Sequence, residues 1–276
     1  MTKLYAVVGD PVEHSLSPAI HNAWIAAAGI DAHYERVHLQ SDAAAADIRA
    51  MASTYAGLNV TLPHKAAAAN AAVRVEPLAA RIGAANTLVN EHGAWAAYNT
   101  DVEGFEAAVR AAECTPGPEL NVILIGAGGA ARAAVTSLHE AGARITILNR
   151  SVGNAKTLAR DLASGAETGG LDELTARAEA ADLIVNSASL GHDGASLPAL
   201  PPGRGRAFLD LSYGKAAAGT LQAAEAAGWA PHDGLTMLVA QAAAAFRLWF
   251  GVDPEQTGVL AACRRAVQAS AGAAGA

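Results

Sequence analysis

Asn121-Val-Ile-Leu-Ile-Gly126-Ala-Gly128-Gly129-Ala-Ala131-Arg132 is the stretch that decides the fold. Val122 to Ile125 is an unbroken apolar run, as in a strand buried on both faces. Glycines interrupt it, and the Ala-rich segment beyond them has the composition of a helix. Strand, glycine turn and helix form the setting in which G-x-G-x-x-A carries meaning. Gly126 permits the tight turn, and Gly128 lets the backbone approach a pyrophosphate. Ala131 lets helix and strand pack closely. The helix start offers unpaired N–H groups and a positive dipole end to phosphates. Residues Gly126, Ala127, Gly128, Gly129 and Ala130 are therefore candidate cofactor contacts.

The next strand, Arg144 to Leu148, ends in Asn149-Arg150-Ser151. An NAD-binding domain usually places an acid there, on the ribose 2′-hydroxyl. Here no acid repels a 2′-phosphate, and Arg150 can clasp one. NADP(H) is the expected cofactor.

Working outward, short β-branched runs alternate with Ala-rich helical stretches along most of the chain. That alternation predicts a doubly wound parallel sheet of Rossmann type. Cys114-Thr-Pro-Gly-Pro118 reads as a linker before it. An α/β segment with its own strands and a hairpin near residues 87–98 precedes the linker. Two helices with no strand between them close the chain. The expected architecture is two α/β domains.

Composition narrows the function. The chain has 276 residues, 52% hydrophobic and 16% charged, which excludes disorder. Net charge is −7 without any Lys/Arg block, so no nucleic-acid partner is expected. Cys114 and Cys263 lie far apart and outside any metal or redox spacing, and the nine histidines do not cluster. No metal and a reducing compartment follow as expectations. Met1 to Val8 is too short for a signal segment, and Leu235 to Phe250 falls short of the ~20 residues of a membrane span. The expected setting is cytoplasmic, with a small-molecule substrate and no membrane partner.

The segment before the linker carries polar clusters in an apolar background. These are Gly9 to Pro18, Gly57 to Lys65, Ala84 to Thr87 and Asn99 to Gly104. Ligands of α/β sheets bind beyond the strand ends, where Ser, Thr and Asn can bond hydroxyls. Ser17 and Asp101 read equally as helix N-caps and Asn86 as a turn residue. Lys65 and Asp101 are the chemical candidates, since reduction of a ketone needs a proton donor and a partner to orient it.

Taken together these motifs resemble the shikimate dehydrogenase family, from about Tyr5 to Pro254. The carriers are Gly9, Pro11, His14-Ser15-Leu-Ser17-Pro18 and His21, then Asn59 to Lys65, Ala84 to Thr87 and Asn99 to Gly104. The loops at 126–130 and 149–151, Asp210-Leu-Ser-Tyr213, and Met237-Leu-Val-Ala-Gln241-Ala complete the set. The resemblance implies NADPH-dependent reduction of 3-dehydroshikimate to shikimate, towards chorismate and the aromatic amino acids. It implies Lys65 and Asp101 as the catalytic pair. Ser15, Ser17, Asn59, Thr61, Asn86, Tyr213 and Gln241 become substrate contacts. Leu211 and Gly234 join the cofactor contacts, beside the nicotinamide. The resemblance implies a nucleotide domain at residues 105–234 and a substrate domain made of 1–104 with 235–276, the last helices returning to it, and monomer and homodimer are both compatible with it.

Three positions depart from the family pattern. Asn154 replaces a second arginine, with Lys156 nearby; His192 stands for a methionine; Thr236 stands for a glycine. The alternatives are a quinate-acting paralogue, a non-catalytic NADP-binding sensor and a folate dehydrogenase of similar plan. The last has no use for the H-S-x-S-P cluster.

Overall fold

The structure, a computed structural model, describes residues 2–188 and 197–272. His192 lies outside the described residues. The chain divides into two compact units: residues up to Gly104 with Leu238–Cys263, and Phe105–Met237 with the chain from Arg264. The expected boundary kept everything from residue 235 with the first domain. Two segments differ for packing reasons. Met237 is buried in the second unit's core, and Val267 reaches Gly214 of that unit.

The first unit contains β1 (Lys3–Gly9), α1 (Ser17–Ala27), β2 (Ala32–His38), α2 (Ala45–Ala50), β3 (Gly57–Val60) and α3 (Lys65–Ala71). It continues with β4 (Arg74–Val75), α4 (Pro77–Ile82), β5 (Thr87–Glu91), β6 (Ala94–Tyr98) and the start of α5 (Asp101–Ala111). Its sheet order is β2-β1-β3-β5-β6-β4. Strands β2, β1 and β3 are parallel, whereas β5 runs antiparallel to both β3 and β6. This mixed pattern has a consequence for the site. The beginning of β5 and the end of β6 meet the C-terminal end of β3, through the pairs Asn59–Thr87 and Thr87–Tyr98. The polar segments after β3, before β5 and after β6 therefore converge on one sheet edge. Gly9 lets the loop after β1 join them, because a Cβ there would come within 2.3 Å of Thr61 Cγ2.

Few residues are aromatic, yet six of them gather in this unit. Tyr5, Trp24, Tyr34, Phe246, Trp249 and Phe250 pack around His21 with ring centroids 4.3–6.3 Å apart. Gly57 leaves room for the Trp249 ring, which a Cβ would meet at 2.4 Å.

The second unit contains β7 (Asn121–Ile125), α6 (Gly129–Glu140), β8 (Arg144–Leu148), α7 (Val152–Leu162), β9 (Glu167–Gly169) and α8 (Leu174–Arg177). Then come β10 (Leu183–Asn186), β11 (Ala207–Asp210), α9 (Lys215–Ala226) and β12 (Ala230–His232). Helices α10 (Leu235–Phe250) and α11 (Thr257–Gly272) each contain a point where the chain changes unit. The all-parallel order β12-β11-β10-β7-β8-β9 is the 3-2-1-4-5-6 order of dinucleotide-binding sheets. Val122, Leu124 and Val185 face one apolar layer, and Ile123, Ile125 and Ile184 the other. Burial on both faces explains why these strands read as unbroken apolar runs. Among the described residues, no helix is long and apolar enough to cross a membrane, and no His/Cys/Asp/Glu group is placed to hold a metal.

Candidate active site

In the first unit, Lys65 opens α3 and Asp101 opens α5. Lys65 Nζ donates to Asp101 Oδ2 at 2.6 Å, with only 15% and 6% of the two side chains exposed. Asp101 is not an N-cap. The side chain of Asn99 takes that part, accepting from the Asp101 N–H at 3.0 Å, which leaves the Asp101 carboxylate for Lys65. Its other oxygen, Oδ1, accepts from Asn86 Nδ2 at 2.9 Å. A charge pair so withdrawn from water costs desolvation energy and is kept only with good partners. Here both carboxylate oxygens have one.

Asn86 is likewise more than a turn residue. Its Oδ1 accepts from the Thr100 N–H at 2.7 Å, and its Nδ2 faces Thr100 Oγ1 at 2.9 Å and Gln241 Oε1 at 3.1 Å. Gln241 Nε2 donates to the Leu238 carbonyl at 2.8 Å. Asn59 is nearly closed to solvent and bonds Thr87 Oγ1 at 3.1 Å and the Asn86 carbonyl at 3.3 Å. Lys65, Asp101, Asn86, Asn59 and Gln241 thus form one hydrogen-bonded group. Ser15 and Ser17 lie in the loop after β1, where Ser15 Oγ accepts from the Ser17 N–H at 3.3 Å. Ser17 begins α1 without capping it through its side chain. Arg36 braces the same loop by two bonds to the Ser15 carbonyl, at 2.9 and 2.6 Å. Thr61, against Gly9, is half-buried.

Three members of this group escaped the sequence reading as individual site residues. Tyr34 OH donates to Asn59 Oδ1 at 2.7 Å, and Thr87 and Thr100 join the two asparagines. Tyr34 sits mid-strand, where a tyrosine reads as core. Thr87 and Thr100 lay inside quoted motifs, beside the residues that received a role. His21 stacks on Tyr34 at 4.3 Å and 12°. Among the described residues neither buried ring nitrogen has a partner in full hydrogen-bond geometry, and although the Asn59 side chain pulls the imidazole pKa up, burial outweighs it and holds the value down to about 3.

In the second unit, the nucleotide candidates line the C-terminal ends of β7 and β8. Gly126 has φ +108°, and a Cβ there would lie 2.6 Å from Ser187 Oγ and 3.1 Å from the Ala188 nitrogen. Only glycine suits both constraints. Gly128 differs: its φ is −85° and, among the described residues, no atom lies within 4 Å of a Cβ. The chain's own packing does not demand a glycine there, so the space over the N-terminus of α6 suits a phosphate group. Asn149 Nδ2 donates to the Ser151 carbonyl at 3.0 Å, holding the turn that carries exposed Arg150. The residues present therefore fit a dinucleotide.

Leu211 and Gly234 are brought together, as a Cβ on Gly234 would lie 2.2 Å from the Leu211 carbonyl oxygen. Beneath them, Asp210 receives bonds from Asn186, Thr220 and the Ser212 N–H. Burial raises its pKa above the ordinary value although those bonds pull it down. Thr236 lines a cavity of about 440 Å³ with Ala108, Leu221, His232 and Asp233. Tyr213, half-buried, follows β11.

Comparison with known proteins agrees with this geometry. Residues 7–88 match the family described as shikimate dehydrogenase substrate binding domain, 111–193 shikimate / quinate 5-dehydrogenase, and 234–264 the shikimate 5′-dehydrogenase C-terminal domain. A relative from Hyphomonas neptunium, named shikimate dehydrogenase (NADP(+)), is 46% identical over 98% of this chain and 100% of its own. One of the same name from Acidiphilium cryptum is 41% identical over 91% of this chain and 92% of its own. The crystal structure of shikimate 5-dehydrogenase from Thermus thermophilus, in complex with NADP(H) and shikimate, superposes with a TM-score of 0.81. It shares 35% identity and covers 96% of this chain and 99% of its own. The chain belongs to the shikimate dehydrogenase family.

Proposed function

We propose that the protein interconverts 3-dehydroshikimate and shikimate with NADP(H), as its named relatives do. The observation that carries this reading is the shielded Lys65–Asp101 pair, with Nζ and Oδ2 2.6 Å apart at the edge where the polar loops converge. A bound NADPH supplies the hydride for reduction and NADP+ accepts it in the reverse direction. The carbonyl oxygen then gathers negative charge, and Lys65 gives it a proton, general-acid assistance of the usual kind. Asp101 aims the ammonium and balances its charge. Ser15, Ser17, Thr61, Tyr213 and Gln241 hold the carboxylate and hydroxyls, and Asn59 and Asn86 orient the groups beside them. The loops 126–130 and 149–151 hold the diphosphate and adenosine ribose, and Leu211 and Gly234 flank the nicotinamide. The first unit is the substrate domain and the second the cofactor domain. A cytoplasmic monomer or homodimer satisfies this reading.

The second family description also mentions quinate. A four-way assay separates the readings: oxidation of shikimate and of quinate, each with NADP+ and with NAD+. Shikimate with NADP+ should give the highest kcat/KM. Quinate with NAD+ as the best pair would sink the proposal, and absence of all four activities would favour a non-catalytic sensor.

A further inference from the structure

The hydrogen bonds around Asp101 have a direction. Two backbone groups dictate it. The Asn86 carbonyl only accepts, so the atom of Asn59 facing it must be Nδ2, and Oδ1 must then face Tyr34. The Thr100 N–H only donates, so Asn86 presents Oδ1 to it and Nδ2 to Asp101. Tyr34 has to donate to Asn59, since an amide oxygen cannot. Thr87 Oγ1 receives an Asn59 proton, and its own proton turns to Asn86 Oδ1. The result is one unbroken donor chain. Tyr34 OH donates to Asn59 at 2.7 Å, Asn59 to Thr87 at 3.1 Å, Thr87 to Asn86 at 3.1 Å and Asn86 to Asp101 at 2.9 Å. Lys65 closes on the other oxygen of the same carboxylate. Every member from Tyr34 to Asp101 is buried.

We infer that Tyr34 and Thr87 are positioning residues for the Lys65–Asp101 pair, acting through this chain and not by touching substrate. The inference rests on the proposed function for its kinetic consequence, but the chain itself is independent of it. Donors arranged head to tail polarise one another, strengthening each bond by roughly 10–30%. The last bond, on the Asp101 carboxylate, receives the accumulated effect. Stacking on His21 and bonds from Asn22 to both the N–H and carbonyl of Tyr34 hold the phenol in place, and the Ser17 side chain bonds it as well.

Tyr34→Phe and Thr87→Val each remove one link with little change of shape. Each variant should lower kcat about tenfold while shikimate KM changes less than about twofold. The double variant should be no worse than either single one, since one break already interrupts the chain. Additive losses, or losses confined to KM, would overturn the inference. A second readout needs no turnover: the side-chain amide proton of Asn86 that faces Asp101, followed by NMR in the ligand-free protein. It should shift upfield in both variants. An unchanged resonance overturns the chain even if the wild type is active. A wild type inactive on shikimate, with the resonance shifted, removes the proposed function and leaves the chain standing.

Discussion

The two units build their sites from different materials. In the first, the proposed site is made of side chains: a lysine, an aspartate, asparagines and threonines, bonded to one another. In the second, it is made of backbone: a glycine turn with φ +108° at Gly126 and the open start of α6. A side-chain site fails when one functional group is removed, while its fold survives. A backbone site fails when a Cβ is added. The lesson is that the two sites tolerate opposite kinds of substitution, and variants can be chosen to test that.

The largest effect is expected from Lys65→Ala. Loss of the proton donor should lower kcat by about 10³-fold with shikimate KM changed only severalfold, because general-acid assistance is typically worth ~10²–10⁴. Steady-state rates with saturating NADP+ check it, and a variant with near-normal kcat would remove Lys65 from proton transfer. The glycines give the opposing test. Gly126→Ala meets both a strained φ and Ser187, so it should cost about 2 kcal/mol or more of stability as well as cofactor affinity. Gly128→Ala meets nothing within 4 Å among the described residues. It should melt like the wild type and still raise the NADP+ KM by about tenfold, since only the bound diphosphate competes for that space. Equal melting shifts for the two alanines would break the contrast between the units.

How far the two sites were legible in the sequence follows the same division. The nucleotide unit could be read from local pattern alone. Val122–Ile125 declares a strand, and Gly126 and Gly128 declare a turn, because the constraints act within a dozen residues. Strand β9 was missed there, being three residues long with a glycine at its end. In the first unit, Lys65 and Asp101 were legible as chemistry, and their motifs through family resemblance. Their partners were not. Tyr34 and Asn59 are 25 residues apart, and only the pairing of β2, β1 and β3 brings them together. Ser17 and Asp101 looked like caps because local rules see only neighbours in the chain. The compact units divide the tail differently from the expected boundary for a similar reason, since the packing of Met237 and Val267 is a long-range fact.

A smaller effect should come from Arg150→Ala. Exposed on the turn after β8, Arg150 is proposed to meet the 2′-phosphate. The variant should raise the NADP+ KM by roughly tenfold and leave the NAD+ KM within about twofold, because one charge-assisted contact is worth ~1.5–3 kcal/mol at most. Equal effects on the two cofactors would assign Arg150 to the turn itself. Asn154, where the family has a second arginine, sharpens this test: with Arg150 alone the preference should collapse on its removal.

The smallest effect concerns the wall behind the side-chain site. His21 is fully buried, its nitrogens without a partner in full hydrogen-bond geometry among the described residues, and its pKa is held down to about 3 by burial. The folded protein therefore keeps this imidazole neutral, whereas the unfolded chain binds a proton below a pH of about 6.5. More protons are bound by the unfolded state in that window, so stability falls as pH drops from about 6.5 towards 3. The His21 contribution to this loss is about 3–5 kcal/mol over the full window, and about 0.8 kcal/mol at pH 6. His21→Phe keeps a ring to stack on Tyr34 and removes the titration. It should leave stability at pH 7 within about 1 kcal/mol of the wild type, since the ring packing is kept. Between pH 6 and 4 its urea midpoint should fall less steeply. A parallel fall in the two proteins would mean that the His21 ring is solvated or paired in solution, and the buried wall of the first unit would be wetter than its packing indicates.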